Sequence, residues 1–192
     1  MKRIEAEFLS IREDHWESAK RRSARVTLGS SVIRVFRKGT KTPLMKVLAD
    51  LDMDALKGLT GQVAYEQWFT AALTRVARII RRHNRANKKI MPGYRWGHAA
   101  KVLCIYCRDL LLNSRYFTDR QVQRIEPWLY VPIDRIVMDH CRRCGVDPGV
   151  RKIKEIDTRA KFFHVQNLLT SPARKVRAPR VWFDDAWGDR PE

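Results

Sequence analysis

Lys101 and Asp134 stand in two short stretches whose residue types suit chemistry as well as packing. Lys101 closes the run Met91-Pro-Gly-Tyr-Arg-Trp-Gly-His-Ala-Ala-Lys101, where a turn carrying Pro92, Gly93 and Gly97 feeds straight into an apolar helical pattern. Asp134 lies in Tyr130-Val-Pro-Ile-Asp-Arg-Ile-Val137, a second helix start primed by Pro132. An amine that can attack and a carboxylate that can stabilise positive charge, brought to one cleft, are equipped for covalent chemistry at a sugar carbon.

For that to happen, helices must carry the two side chains together. The pattern turns helical from Thr42 and Pro43, read as cap and first helical position, with Leu44, Val47, Leu48 and Leu51 repeating every three or four residues. The longest helix is expected from near Thr60 to about Asn84, with Val63, Trp68, Phe69, Ala72, Leu73, Val76, Ala77 and Ile80 on one face. Its last turns carry Arg81 and Arg82, which suit either the helix dipole or a phosphate. The Lys101 helix, Arg95 to about Asn113, is apolar almost all round, the mark of a central buried helix.

A short helix capped by Thr118 should follow, then one from about Ile133 to Cys141 ended by Gly145. A last helix is expected to be capped by Asp157 and stopped at Pro172. Before all of these, Val26-Thr-Leu28 and Val32-Ile-Arg-Val-Phe36 are β-branched and read as a short strand or an irregular packed arm. The 33 residues separating Lys101 from Asp134 are enough chain to return an element antiparallel to the first, so the pair can meet.

Charge narrows the partner. Lys and Arg number 39 against 21 Asp and Glu, a formal net charge of +18, which implies a polyanion and favours nucleic acid. A membrane is disfavoured, because no apolar run reaches the roughly 18 residues of a span and the basic residues are scattered over many segments. The charged opening Met1-Lys-Arg-Ile-Glu lacks the apolar stretch of a secretory signal, so a cytoplasmic location is expected. Hydrophobic residues at 44%, with six Trp and seven Phe, argue for a folded core.

The order of the motifs resembles the helix-hairpin-helix DNA glycosylases. Pro92-Gly93-Tyr-Arg-Trp-Gly97-His-Ala-Ala-Lys101 followed by Val131-Pro-Ile-Asp134-Arg-Ile-Val137 is most similar to the 8-oxoguanine glycosylase/lyases of the archaeal type, which keep these two residues widely apart. The likeness covers roughly residues 60 to 170. It implies a mainly α, two-lobed fold with a helix-hairpin-helix-like element. Three regions follow from this reading: an N-terminal arm at 1–41, a helical glycosylase-like domain at 42–172, and a basic strap with an acidic, Trp-containing tail at 173–192. By resemblance Lys101 is the nucleophile and Asp134 assists it. No cofactor is called for, and the partner is double-stranded DNA with a modified base flipped out, bound by a monomer.

Cleaving an N-glycosidic bond builds positive charge at C1′ while the base leaves with the bonding electrons, so Asp134 would lower the barrier and Lys101 would capture the sugar. Burial and neighbouring cations such as Arg95, Arg108 or Arg135 would destabilise the Lys101 ammonium. The resemblance also assigns a phosphate to the hairpin amides near Gly93 and Gly97. Here the family's Gly-x-Gly hairpin is replaced by Gly93-Tyr-Arg-Trp-Gly97, with Arg95 and His98 available to compensate. Further DNA contacts are assigned to Arg81, Arg82, Lys88, Lys89, Tyr94 and Arg135, and Trp96, Phe163 and Gln166 to the base pocket. Tyr94 and Trp96 are also candidates for the wedge that fills the vacated stack.

A rival reading is a non-catalytic nucleic-acid-binding module stabilised by zinc, because Cys104-Ile-Tyr-Cys107 and Cys141-Arg-Arg-Cys144 have ligand-like spacing. Cys104 and Cys107 fall inside an apolar helical pattern, however, which favours core packing over a metal knuckle. A nuclease ranks last, since no cluster of Asp and Glu supplies metal ligands.

Overall fold

A computed structural model describes residues 2–29, 31–84 and 96–189. Among them the protein is mainly helical, with no strand: α1 (Lys2–Gly29), α2 (Lys41–Ala49), α3 (Ala55–Gly58), α4 (Gln62–Asn84), α5 (Trp96–Asn113), α6 (Asp119–Ile125), α7 (Arg135–Arg143) and α8 (Arg159–Lys175). Short 3-10 turns at Ser31–Val35, Glu126–Trp128 and Ile153–Glu155 join them, and a 3-10 segment, Arg180–Asp189, follows α8.

The centre is α5. Ala99, Ala100, Val102, Leu103, Tyr106 and Leu110 are fully buried around its circumference, as its unbroken apolar pattern requires. It packs against α1, α4 and α8 and against the turn Ile153–Glu155. At its start the Gly97 N–H donates to the Ile156 carbonyl at 2.7 Å. A Cβ at Gly97 would run into the Ile153 carbonyl oxygen and lie 2.9 Å from the Ile156 Cβ, so this contact needs a glycine.

The N-terminal residues correct the expectation of a strand. They form the longest helix of the described chain, α1, and a 3-10 turn. Ala19, Ser23, Ala24, Thr27 and Leu28 are all buried and recur at helical spacing, so packing against α2 and α5 overrides the β preference of Val26 and Thr27. The Thr27 hydroxyl donates back to the Ser23 carbonyl at 2.8 Å, giving the β-branched residue a partner within the helix.

Several boundaries also move. Helix α2 starts at Lys41 after Thr40, so Pro43 stands within its first turn and not at its first position. In α4 the expected face holds except that Val63 is 71% exposed and Tyr65 is buried in its place. Asp134 precedes α7 as its cap, which places the helix start at Arg135. Thr158, not Asp157, caps α8 by accepting the Lys161 N–H at 3.3 Å. That helix also runs through Pro172 to Lys175, because a proline so near the end removes one hydrogen bond without halting the last turn.

Between the Glu126–Trp128 turn and α7 the chain is extended, and Leu129 through Asp134 are all buried. A buried irregular segment must find partners for its peptide groups, and two polar side chains provide them. Arg180 donates to the carbonyls of Trp128 at 2.7 Å and Leu129 at 2.8 Å, with its guanidinium 4.2 Å from the centre of the Tyr130 ring. Gln166 pairs with Val131. Tyr130 then packs among Tyr65, Phe69, Phe162 and Phe163, which ties the segment to α4 and α8.

Candidate active site

This clamped segment delivers Asp134 to Lys101. The Lys101 Nζ donates to Asp134 Oδ2 at 2.9 Å, and the residues are 8% and 7% exposed. The other carboxylate oxygen, Oδ1, accepts the Val137 N–H at 3.0 Å and caps α7. One residue therefore serves as cap and ion-pair partner. Its oxygens point in fixed directions, because the cap bond sets one and the lysine the other.

A second ion pair stands beside the first. Arg108, two turns after Lys101 on α5, binds the carboxylate of Asp184 from the 3-10 segment after α8. Burial pushes the Asp184 carboxyl up to about 6, with the Asp134 charge adding to the rise and Arg108 and Lys101 opposing it. The site thus holds two cations and two carboxylates. Asp184 was missed in the sequence, where it is one acid in a terminal run without any periodic pattern.

The remaining assigned residues divide by position. Trp96 is partly buried and packs on the core, and His98 is buried with its ring edge against Phe36 at 6.2 Å. The Gly97 amide given to a phosphate is occupied by Ile156. Phe163 meets Tyr130 edge-on at 5.4 Å and lies under the Arg159 guanidinium, while Gln166 is wholly buried and committed to Val131. Arg81 and Arg82 are exposed at the end of α4. Arg135, next to Asp134, has a side chain 83% exposed and only a long contact, 3.8 Å, to Asp139. Lys88, Lys89, Gly93, Tyr94, Arg95 and the expected hairpin lie outside the described residues.

Cys104 and Cys107 are buried in α5, Cys141 is buried in α7, and Cys144 is exposed just after it. Among the described residues no three His, Cys, Asp or Glu side chains converge to hold a metal ion. None of the described helices is long and apolar enough to cross a membrane. Comparison with protein-family models, curated proteins and solved structures found no match to this chain.

Proposed function

We propose that the protein is a DNA glycosylase that excises a modified base through Lys101 and Asp134. The observation that carries this reading is the buried 2.9 Å contact between an amine and a carboxylate from distant helices, in a chain of net charge +18. Asp134 stabilises positive charge as it grows at C1′ of the flipped nucleotide. Lys101, once deprotonated, attacks that carbon: a C–N bond forms, the N-glycosidic bond breaks, and its electron pair leaves with the base. Loss of the remaining amine proton and opening of the sugar ring give a Schiff base, from which β-elimination breaks the strand at the 3′ oxygen. The two lobes and the helix-hairpin-helix-like turn belong to this reading, as do a monomeric state and a cytoplasmic location.

The substrate is an oxidised purine, as the family resemblance implies, or a hypermodified phage base such as glucosylated hydroxymethylcytosine. The setting is accordingly DNA repair or defence against phage. Borohydride trapping on duplexes with an abasic site or each modified base tests the chemistry. A covalent adduct is expected with the parent and lost in Lys101→Gln, while Asp134→Asn slows base release. An adduct that persists in Lys101→Gln removes the lysine from its role. Binding should also weaken steeply with salt, through counterion release from the phosphates.

A further inference from the structure

We propose that Asp184 is the third ionisable member of the Lys101–Asp134 site and acts as a positioning residue that sets the charge state of Lys101. Its role in catalysis rests on Lys101 being the nucleophile, whereas the coupling between the two groups does not.

Geometry carries the argument. Lys101 and Arg108 are seven residues apart on α5 and so share a face. Long helical side chains lean toward the N-terminus, which sends Arg108 back toward the turn of Lys101. Arg108 grips the Asp184 carboxylate there, and the Asp184 side chain is only 12% exposed. Asp184 is not a swinging tail. Arg180 is anchored on the carbonyls of Trp128 and Leu129, Val181 is buried, the Trp182 indole N–H donates to Glu126 at 2.7 Å, and Phe183 packs edge-on against His140. The segment packs along α7, whose first turn Asp134 caps.

The charged groups around Asp184 are Arg108 and Lys101 from α5 and Asp134 from the start of α7. On the flanks, His140 of α7 meets the neighbouring Phe183, and Arg180 is turned toward Tyr130. In a poorly solvated site, charges act on one another far more strongly than in water. With Asp184 ionised, two carboxylates hold the Lys101 proton against one further cation. With that charge removed, Arg108 is left uncompensated and the ammonium becomes easier to deprotonate.

The test measures the pH dependence of Lys101 acetylation by mass spectrometry on the full chain without DNA, alongside the pH dependence of borohydride-trapped adduct on abasic DNA. In Asp184→Asn both midpoints should move down by roughly half a unit or more. Asp184→Glu, which keeps the charge, should restore the parent values and so separates charge from a loosened fold. An unmoved acetylation midpoint in Asp184→Asn overturns the inference, as does an equal shift in Asp184→Glu. If the acetylation midpoint shifts as expected and the parent forms no adduct, the coupling stands and the glycosylase reading falls.

Discussion

Gln166 and Val131 exchange two hydrogen bonds: the Val131 N–H donates to Gln166 Oε1 at 3.0 Å, and Gln166 Nε2 donates to the Val131 carbonyl at 2.8 Å. A side-chain amide thereby does for one buried residue what a neighbouring strand would do. Leaving a buried peptide group unpaired costs about 1–3 kcal/mol, and Gln166→Leu leaves two. Urea unfolding should show a loss of about 2–5 kcal/mol by the same reasoning. Because Val131 is three residues before Asp134, any adduct yield on abasic DNA should fall as well, even under conditions where the variant is fully folded.

The Gly97 contact makes a different demand. Its neighbours are the Ile153 carbonyl and the Ile156 side chain, and backbone cannot step aside as the end of a lysine can. Gly97→Ala should therefore destabilise by about 1–3 kcal/mol, the usual cost of overpacking, although alanine is the better helix former. Thermal unfolding decides it. A variant as stable as the parent would mean that the first turn of α5 is not pressed against Ile153–Ile156.

These two positions show how much of the site could be read from the sequence. The all-round apolar pattern from Ala99 to Leu111 marks a buried helix, and Lys101 inherits its burial from that pattern. Pro132 and Asp134 announce a helix start, and the cap is where they place it. Hydrophobic periodicity registers only apolar residues, however, so it is blind to polar groups that go inside because a buried loop needs them. Gln166 reads as an edge-reading group and Arg180 as part of a basic strap, yet both serve the Leu129–Val131 backbone. The α1 error has the same root: β-branched residues signal a strand locally, while the register of Ala19, Ala24 and Leu28 against α2 and α5 is a tertiary matter.

Asp184 gives stability a pH dependence of definite sign. Its carboxyl rises from an ordinary 3.8 to about 6 on folding, so between those values the folded state holds a proton that the unfolded chain has lost. The stabilisation from this group is complete below the unfolded value and is lost as pH rises through the folded one. Asp184→Asn cannot ionise and escapes that loss. Relative to the parent it should gain stability between about pH 4 and pH 7, by on the order of 1–3 kcal/mol. Urea unfolding of both proteins across this range checks it, and a variant that instead loses ground as pH rises would contradict the buried, disfavoured carboxylate.

Single and double substitutions at the central pair should behave unlike those at the surface. Removing Lys101 leaves Asp134 a buried carboxylate with its Val137 cap bond but without its cation, and breaking one side of a buried pair costs about 3–5 kcal/mol. Lys101→Met should therefore be strongly destabilised near neutral pH. Adding Asp134→Asn removes the stranded charge while its side-chain oxygen can still cap α7, so the double variant should recover much of the loss. At Arg135 and Asp139, which are exposed and 3.8 Å apart, the same cycle should return no more than about 0.5 kcal/mol. Urea unfolding of both cycles at neutral pH provides the comparison. Equal coupling at the two sites would show that Lys101 and Asp134 meet in water and not in a dry cleft, and with that the environment needed for a reactive amine would be gone.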